Sequence, residues 1–140
     1  MAKAFVIKRR AHFADTDMAG VLHFAAYYRF MEEVEHAFWR SHGHSVMSEH
    51  GGREIGWPRV ATSCEYFAPV QFEQVLELAL RVMRVGNRSI TYEIEFRHEG
   101  RRIALGRSTA VCCEVIKRGF RPIAIPEPLR QALVAAAETA

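Results

Sequence analysis

The sequence predicts an α+β domain in which one long helix packs against a single antiparallel sheet. One stretch in the N-terminal third carries apolar residues at spacings of three and four, as an amphipathic helix does. Several later stretches alternate apolar and polar residues, as strands do, and short turn signals separate them. The chain has 140 residues, which suffices for one core, so we expect a single domain over residues 1–140.

The first elements follow from these patterns. Residues 4–13 alternate and predict a strand, and residues 15–20 break the alternation as a loop. A helix is predicted over residues 25–42, with Gly43 ending it, and residues 45–52 indicate a turn or a short helical piece. The apolar residues that share one face of this helix are Tyr27, Phe30, Met31, Val34, Ala37 and Phe38.

Four strands and a short helix are predicted in the second half of the chain. The strands are expected over residues 59–67, 76–83, 90–97 and 103–116. The last of them is apolar on both faces, so we expect it to lie centrally in the sheet. A terminal helix is predicted over residues 129–137.

These strands carry more apolar residues than one covered sheet face needs. Val82, Tyr92 and Cys112 are examples, and exposing them on a solvated sheet face would be unfavourable. The pattern therefore predicts a homo-oligomer in which a second copy covers the remaining face. We expect at least a dimer, and a tetramer is favoured over a dimer.

Composition narrows the class of protein. The net charge is +3, from 19 basic and 16 acidic residues, which is too small to indicate a nucleic-acid partner. No apolar run approaches the roughly 18 residues of a membrane span. The N-terminus does not resemble a signal peptide, so a cytoplasmic protein is expected. Cys64, Cys112 and Cys113 form no disulfide framework, and we expect them to be reduced.

The densest group of reactive residues lies in the loop before the long helix. Asp15 and Asp17 stand close to the helix N-terminus, and Gly20 allows close approach of a ligand to the backbone. Free N–H groups at a helix start hold a developing oxyanion, and a nearby carboxylate acts as a base or nucleophile. The alternative is that both aspartates only shape the loop and cap the helix.

The loop and helix resemble the signature of the hotdog-fold acyl-CoA thioesterases, within the 4-hydroxybenzoyl-CoA thioesterase-like group that includes the YbgC-type enzymes. The matching residues are Asp15, Thr16, Asp17, Gly20, Tyr27, Arg29, Phe30 and Glu32. Weaker matches are Phe67, Pro69, Phe72, Glu73, Gln74, Leu76, Arg88 and Ser89. The resemblance implies a hotdog fold, a long central helix wrapped by a sheet of about five strands.

The resemblance also implies roles for individual residues. Asp17 corresponds to the catalytic carboxylate, and the N–H group of Phe24 corresponds to the donor that holds the thioester carbonyl. Coenzyme A, as part of the substrate rather than a cofactor, is expected to place its phosphates near Arg84, Arg88 and Ser89. The site is expected at the interface of a dimer, and no metal or other cofactor is implied.

Four further residues are candidates for the site. His23 stands one position away from the histidine of many YbgC-type enzymes, so its role stays open, and Tyr27 is a candidate for an acyl pocket. Ser63, or its neighbour Thr62, offers a hydroxyl from a strand, whereas Glu32 is a reserve base on the helix. The histidines at positions 36, 42, 44 and 50 cluster in sequence, but an H-x-H pattern without a cysteine is only a weak signal for zinc.

Two other functions remain open at this point. A hotdog hydratase would act on an unsaturated acyl-CoA with an Asp–His pair, and His23 follows Asp17 by six residues. A non-catalytic protein would bind acyl-CoA or acyl carrier protein and release no thiol. Hydrolysis of an acyl-CoA thioester by Asp17 is the function that the resemblance favours.

Overall fold

The computed structural model describes residues 3–137, so the ends of the expected 1–140 domain lie outside it. The described chain begins with β1 (Phe5–Arg10), a 3₁₀ turn (Phe13–Asp15), helix α1 (Ala26–Ser41), β2 (Ser48–His50), β3 (Arg53–Gly56) and β4 (Arg59–Tyr66). It continues with β5 (Val75–Val85), β6 (Ser89–His98), β7 (Arg101–Val111), β8 (Cys113–Ile116), β9 (Gly119–Pro122) and α2 (Glu127–Ala137). Neither helix is long and apolar enough to cross a membrane.

The main sheet has five strands in the order β1-β5-β6-β7-β4, and every neighbouring pair is antiparallel. This confirms the predicted class, an antiparallel sheet of about five strands with a helix packed on it. A second sheet, in the order β2-β3-β8-β9, was not predicted. The hairpins of the main sheet turn at Gly86-Asn87 and Glu99-Gly100, as predicted.

Helix α1 buries its apolar face against the inner face of the main sheet. Phe30, Val34 and Phe38 are each at most 2% exposed, and they contribute to the core with residues 76, 78, 80 and 82 of β5 and residues 90, 92, 94 and 96 of β6. Gly106 on β7 lets the helix approach closely, because a Cβ atom at that position would lie 2.5 Å from the sulfur of Met31. The helix has 16 residues, or about 24 Å, so it is a central helix of moderate length.

The outer face of the sheet is polar. The prediction that apolar strand residues on this face need a second copy to cover them was therefore wrong. Val82, Tyr92 and Cys112 all belong to the core and do not lie on the solvent-exposed face of the sheet. On the outer face, Glu93 pairs in register with Arg81 on one side and Arg107 on the other, and Arg107 also forms an ion pair with it at 3.0 Å. A charged ladder of this kind does not call for a second copy to cover it.

Strand β4 is the exposed edge of the main sheet. Seven of its eight residues are exposed, including Val60 at 63% and Tyr66 at 45%. Its register with β7 sorts its side chains by face: Arg59, Thr62 and Tyr66 pair with buried residues on the helix side, whereas Ser63 pairs with the exposed Arg107. Unpaired strand edges with apolar side chains are surfaces that other chains pair with.

Several predicted boundaries were wrong. The first strand ends at Arg10, because a 3₁₀ turn follows at Phe13–Asp15. The expected strand over residues 103–116 divides at Cys112, whose N–H group donates to the Arg88 carbonyl at 2.6 Å. The segment 45–52 contains the strand β2 rather than a helical piece.

Candidate active site

Asp15 holds the loop before α1 in place. Its carboxylate is 7% exposed and lies 3.1 Å from the guanidinium groups of both Arg9 and Arg29. It also accepts a hydrogen bond from the His12 N–H group at 2.8 Å. Burial alone raises the pKa of Asp15, but the His12 N–H group and the two cations outweigh it and lower the pKa below its ordinary value. Asp15 therefore stabilises the loop through its two ion pairs and its hydrogen bond to the backbone.

Asp17 lies on the exposed side of the same loop. Its Oδ1 accepts a hydrogen bond from the Ala19 N–H group at 2.8 Å, and its carbonyl accepts one from Gly20 at 3.0 Å. Gly20 has a φ of +79°, which closes this tight turn and is unfavourable for other residues. The turn leaves the second carboxylate oxygen of Asp17 without an intramolecular partner among residues 3–137, so it is available to a ligand.

An open cleft of about 410 Å³ lies beside Asp17. Apolar and aromatic side chains form most of its walls, and Asp17 supplies its charged group. The lining residues include Asp17, Leu22, Phe24, Tyr27, Tyr66 and Phe67. The structure thus brings together three predicted site residues, Asp17, Phe24 and Tyr27, in one cleft.

In the described chain, the start of α1 leaves one N–H group without an acceptor, and it belongs to Phe24, which lines this cleft. The N–H group of Ala25 donates to His23 Nδ1 at 3.0 Å, and that of Ala26 donates to the His23 carbonyl at 2.8 Å. The N–H group of Phe24 finds no acceptor within residues 3–137. An orphan N–H group at a helix start is the group that binds a carbonyl oxygen as it gains negative charge.

Two tyrosines stabilise this arrangement. The Tyr66 hydroxyl of β4 donates to the Phe24 carbonyl at 3.3 Å, and the Tyr66 ring packs edge-on against Tyr27 with centroids 4.8 Å apart. Tyr27 is 3% exposed and also packs against Phe96. Burial raises the pKa of both tyrosines to about 12, so both hydroxyls stay protonated at neutral pH. Tyr66 was not predicted as a site residue.

His23 and Ser63 lie outside the cleft. His23 acts through the helix start, because its Nδ1 accepts the Ala25 N–H and its ring stacks on Phe24 at 4.6 Å. Ser63 lies on the outer face of β4, facing away from α1, whereas its neighbour Thr62 lies on the helix side. Of the two candidate hydroxyls, Thr62 is therefore the one on the helix side of the sheet, since neighbours on a strand face opposite sides.

The predicted phosphate-binding group lies far from Asp17 in the same chain. Arg84, Arg88 and Ser89 surround the β5–β6 turn, whereas Phe96, which packs on Tyr27, lies near the other end of β6. Eight residues of extended chain separate Arg88 from Phe96, or about 27 Å. One chain by itself does not bring these residues to its own cleft.

A second cavity, of about 240 Å³, lies between α1 and the β4 side of the sheet. Glu35 and Arg59 form an ion pair there, with Arg59 Nη2 2.6 Å from Glu35 Oε1 and Nη1 3.1 Å from Oε2. Arg59 Nη1 also donates to the Ser108 hydroxyl at 3.2 Å. Glu32, the reserve base, lies at this cavity, exposed and 3.8 Å from Arg59, and not at the Asp17 cleft.

The sequence held a signal for Glu35 that was missed. Glu35 stands four residues after Met31 and three before Phe38, so the helical spacing places a carboxylate on the apolar face. A buried carboxylate requires a cation, and Arg59 supplies it from β4.

Within residues 3–137, no three His, Cys, Asp or Glu side chains are grouped so that they could hold a metal ion.

The fold and the cleft together define a class, a helix-on-sheet domain with a carboxylate and an open N–H group at the start of its central helix. The model of the thioesterase superfamily matches residues 19–105. The chain therefore belongs to the thioesterase superfamily, and the predicted thioesterase activity and hotdog family are confirmed.

Individual relatives agree with this membership. The chain is 27% identical over 135 residues to a 1,4-dihydroxy-2-naphthoyl-CoA hydrolase of Thermosynechococcus vestitus, covering 95% of this chain and 90% of that one. The crystal structure of the PA5185 protein from Pseudomonas aeruginosa is 34% identical, with a TM-score of 0.82 and coverage of 99% and 95%. The BH1999 gentisyl-coenzyme A thioesterase is 26% identical, with a TM-score of 0.76 and coverage of 93% and 99%.

Proposed function

We propose that the protein hydrolyses acyl-CoA thioesters in the Asp17 cleft. The observation that carries this proposal is that one cleft is lined by the exposed Asp17 and by Phe24, whose N–H group at the start of α1 has no acceptor within residues 3–137. The aromatic and apolar walls suit an acyl group. The relatives named above as CoA-thioester hydrolases support the same class of substrate.

The reaction follows from the positions of these two groups. The thioester carbonyl oxygen accepts the Phe24 N–H, which stabilises the negative charge that develops on it. Asp17 either removes a proton from a water molecule that attacks the carbonyl carbon, or attacks that carbon itself to form an anhydride that water then cleaves. The C–S bond breaks, the electron pair leaves with the coenzyme A sulfur, and the products are the free acid and coenzyme A.

The working form in this proposal is a dimer that pairs through β4. Within residues 3–137, no strand pairs with the outer edge of β4, which exposes Val60 and Tyr66, so antiparallel pairing with a second copy would complete its hydrogen bonds. Such pairing reverses the strand direction, so the Arg59 end of one copy meets the Tyr66 end of the other. Arg88 lies at the Arg59 end of the sheet, and the dimer therefore brings it toward the cleft of the second copy. A tetramer would be two such dimers.

Within this dimer, Arg84, Arg88 and Ser89 of one copy bind the phosphates of a coenzyme A whose thioester lies in the other copy's cleft. This removes the conflict between the predicted binding role of Arg88 and its distance from Asp17 in one chain. Both arginines are exposed, as a surface-bound phosphate ligand requires.

The test is release of free thiol from a panel of short, long and aromatic acyl-CoAs, followed with a thiol reagent. We expect turnover with at least one member and none with Asp17→Asn. Binding of acyl-CoA without thiol release would instead support the non-catalytic alternative. Loss of the crotonyl-CoA absorbance with no thiol release would support the hydratase alternative.

A further inference from the structure

Arg9 interrupts the apolar side of β1 that faces helix α1. On this side of the strand, Phe5 and Ile7 pack against the core, and the alternation calls for an apolar residue at position 9 as well. Arg9 instead pairs in register with the fully buried Leu76, and its side chain is 18% exposed. A charge in such a place needs partners that compensate for the loss of water, and a departure from the local pattern is expected at functional positions.

Arg9 connects helix α1 to the loop that carries Asp17. Its Nε lies 2.7 Å from Glu33 Oε1 and its Nη2 lies 3.3 Å from Glu33 Oε2, so the guanidinium binds this helix carboxylate through two hydrogen bonds. Its Nη1 donates to Asp15 Oδ2 at 3.1 Å. The guanidinium carbon also lies 4.2 Å from the centre of the Phe30 ring. We call the contacts of Arg9 with Glu33 and Asp15 the Arg9 bridge.

The partners of Arg9 keep it charged and in one orientation. Burial by itself lowers the pKa of Arg9, but Glu33 and Asp15 outweigh it, and the pKa is raised above its ordinary value. Arg29 of α1 also contacts Asp15, at 3.1 Å, but its side chain is 55% exposed, so water competes with that contact. The better-shielded connection between the helix and the loop is therefore the one through Arg9.

The loop connects Asp15 to both reacting groups of the cleft. Its two sides run antiparallel, because the His23 N–H donates to the Asp15 carbonyl at 2.8 Å and the Asp17 N–H donates to the Val21 carbonyl at 3.0 Å. Asp17 lies two residues beyond Asp15 on one side of the loop. The Phe24 N–H group follows directly after His23 on the other side.

The peptide that carries the Phe24 N–H group is the junction between the loop and the helix. This peptide is planar and trans, so its N–H group points away from its carbonyl oxygen, which belongs to His23. That oxygen accepts the Ala26 N–H at 2.8 Å, and this bond fixes the peptide to the helix start. A movement of the loop relative to α1 would therefore change the position of Asp17 relative to the Phe24 N–H group.

We propose that Arg9 is a positioning residue for thioester hydrolysis, and that the Arg9 bridge fixes the Asp17 carboxylate relative to the Phe24 N–H group. This inference rests on the proposed function and deepens it. The attacking group and the donor to the carbonyl oxygen act on the same thioester, so their relative position sets the rate. Misplacement of a reacting group by about 1 Å can cost on the order of 10²-fold in rate.

Arg9→Met is the main test variant. Methionine restores the apolar pattern of β1 and can pack on Phe30, while Arg29 still pairs with Asp15. Thiol release is measured with whichever of acetyl-, octanoyl-, palmitoyl- and benzoyl-CoA the wild type hydrolyses fastest. We expect kcat per folded molecule to fall by about 10- to 100-fold, and KM to change by less than about threefold. A role in folding alone would lower the amount of folded enzyme and leave the kcat of each folded molecule unchanged.

Arg107→Met is the matched control, because it removes an ion pair with Glu93 on the outer face of the sheet, away from the loop. It should keep the wild-type kcat and KM. Asp15→Asn is a weak probe of the bridge, since an amide oxygen in place of Oδ2 still accepts from Arg9 and from the His12 N–H group.

Glu33→Ala breaks the helix end of the bridge and serves if Arg9→Met does not fold. Alanine is the residue most favourable in a helix, so the fold should be retained. We expect kcat to fall at least about threefold. The double variant with Arg9→Met should be no slower than Arg9→Met alone, because both changes break the same bridge.

Hydrogen exchange tests the bridge without relying on turnover. We expect Arg9→Met, or Glu33→Ala in its place, to speed amide exchange at least about threefold in a peptide covering residues 15–24, which includes the hydrogen-bonded His23 N–H group. A peptide from β6 should exchange as in wild type, and Arg107→Met should leave the loop peptide unchanged.

The outcomes separate this inference from the proposed function. A wild-type kcat in the bridge variant overturns the inference, as does loop exchange equal to that of wild type. A rise in KM with kcat retained also overturns it, because Arg9 would then act in binding. Absence of thiol release from all four acyl-CoAs by wild type would contradict the proposed function itself, and the exchange result would still decide whether Arg9 fixes the loop.

Discussion

Asp15 and Asp17 are separated by one residue, and their carboxylates face opposite environments. That of Asp15 is 7% exposed and held by Arg9 and Arg29, whereas that of Asp17 is exposed at an apolar cleft. A carboxylate already engaged by two cations and a backbone N–H group is a poor base, because its proton affinity is reduced. Asp17 has no cation partner within residues 3–137, and it lines the cleft where a substrate can reach it.

Asp17→Asn should abolish turnover and leave the fold intact. The amide keeps the shape and can still accept the Ala19 N–H, but it neither removes a proton nor attacks a carbonyl. We expect kcat to fall by roughly 10²–10⁴ or more, measured by thiol release, with an unchanged circular dichroism spectrum. Glu32→Gln is the matched control, since Glu32 lies at the other cavity. Near-wild-type turnover by Asp17→Asn would assign the chemistry to the wrong residue.

Asp15→Asn should act on stability instead, and in a pH-dependent way. The folded-state pKa of Asp15 lies below its unfolded value of about 3.9, so its ion pairs stabilise the native state above that pH. This contribution is lost as the pH falls through the folded pKa. We expect Asp15→Asn to lower the free energy of unfolding by about 1–3 kcal/mol at pH 7. The difference from wild type, measured by denaturant unfolding, should shrink below about pH 4. A constant difference down to pH 2 would contradict the assignment.

The core elements could be predicted because their signals are local. The helical spacing around Phe30 and Val34 and the alternation in β5 and β6 fixed those elements to within a few residues. Strands β2 and β3 lack such alternation; they pair with each other, and β3 also pairs with the distant β8. The break at Cys112 also depends on a distant partner, the Arg88 carbonyl.

The candidate site likewise contains some residues that local sequence predicts and others that only the sheet pairing brings into place. The Asp17 loop and the Phe24 N–H group are close in sequence, so a motif finds them. Tyr66 reaches the cleft, and Arg59 the second cavity, only through the position of β4. A one-residue difference decides whether Thr62 or Ser63 faces the helix. Residues of that kind require the register of the sheet.

Tyr66→Phe should slow turnover without preventing folding. The change removes the hydrogen bond that holds the Phe24 carbonyl, and with it one restraint on the peptide at the start of α1. A single neutral hydrogen bond contributes about 0.5–1.5 kcal/mol, so we expect kcat to fall by about two- to tenfold. Because the pKa of Tyr66 is about 12, the wild-type rate should show no inflection from this phenol below about pH 11. An unchanged kcat would mean that the helix alone positions this peptide.

Arg88→Ala should weaken binding of the coenzyme A moiety and spare the chemical step. A charge-assisted contact to phosphate contributes about 1.5–3 kcal/mol, so KM should rise by about tenfold or more for every acyl group. The change in kcat should be small, since the phosphates are remote from the carbonyl. Arg118→Ala, an exposed arginine in the β8–β9 turn, is the matched control. Unchanged KM values across several acyl-CoAs would place the phosphates elsewhere.

Val60→Lys should separate the dimer and with it the shared site. Val60 is 63% exposed on the edge strand β4, and a charge on an edge strand opposes pairing with another chain. We expect a monomeric mass in sedimentation at micromolar concentration, a retained circular dichroism spectrum, and loss of most thiol release. Val134→Lys on α2, 38% exposed and near the other side of the sheet, makes the same chemical change and should stay dimeric and active. A Val60→Lys monomer with full activity would show that one chain holds a complete site, because nothing from a second copy could then be needed for turnover.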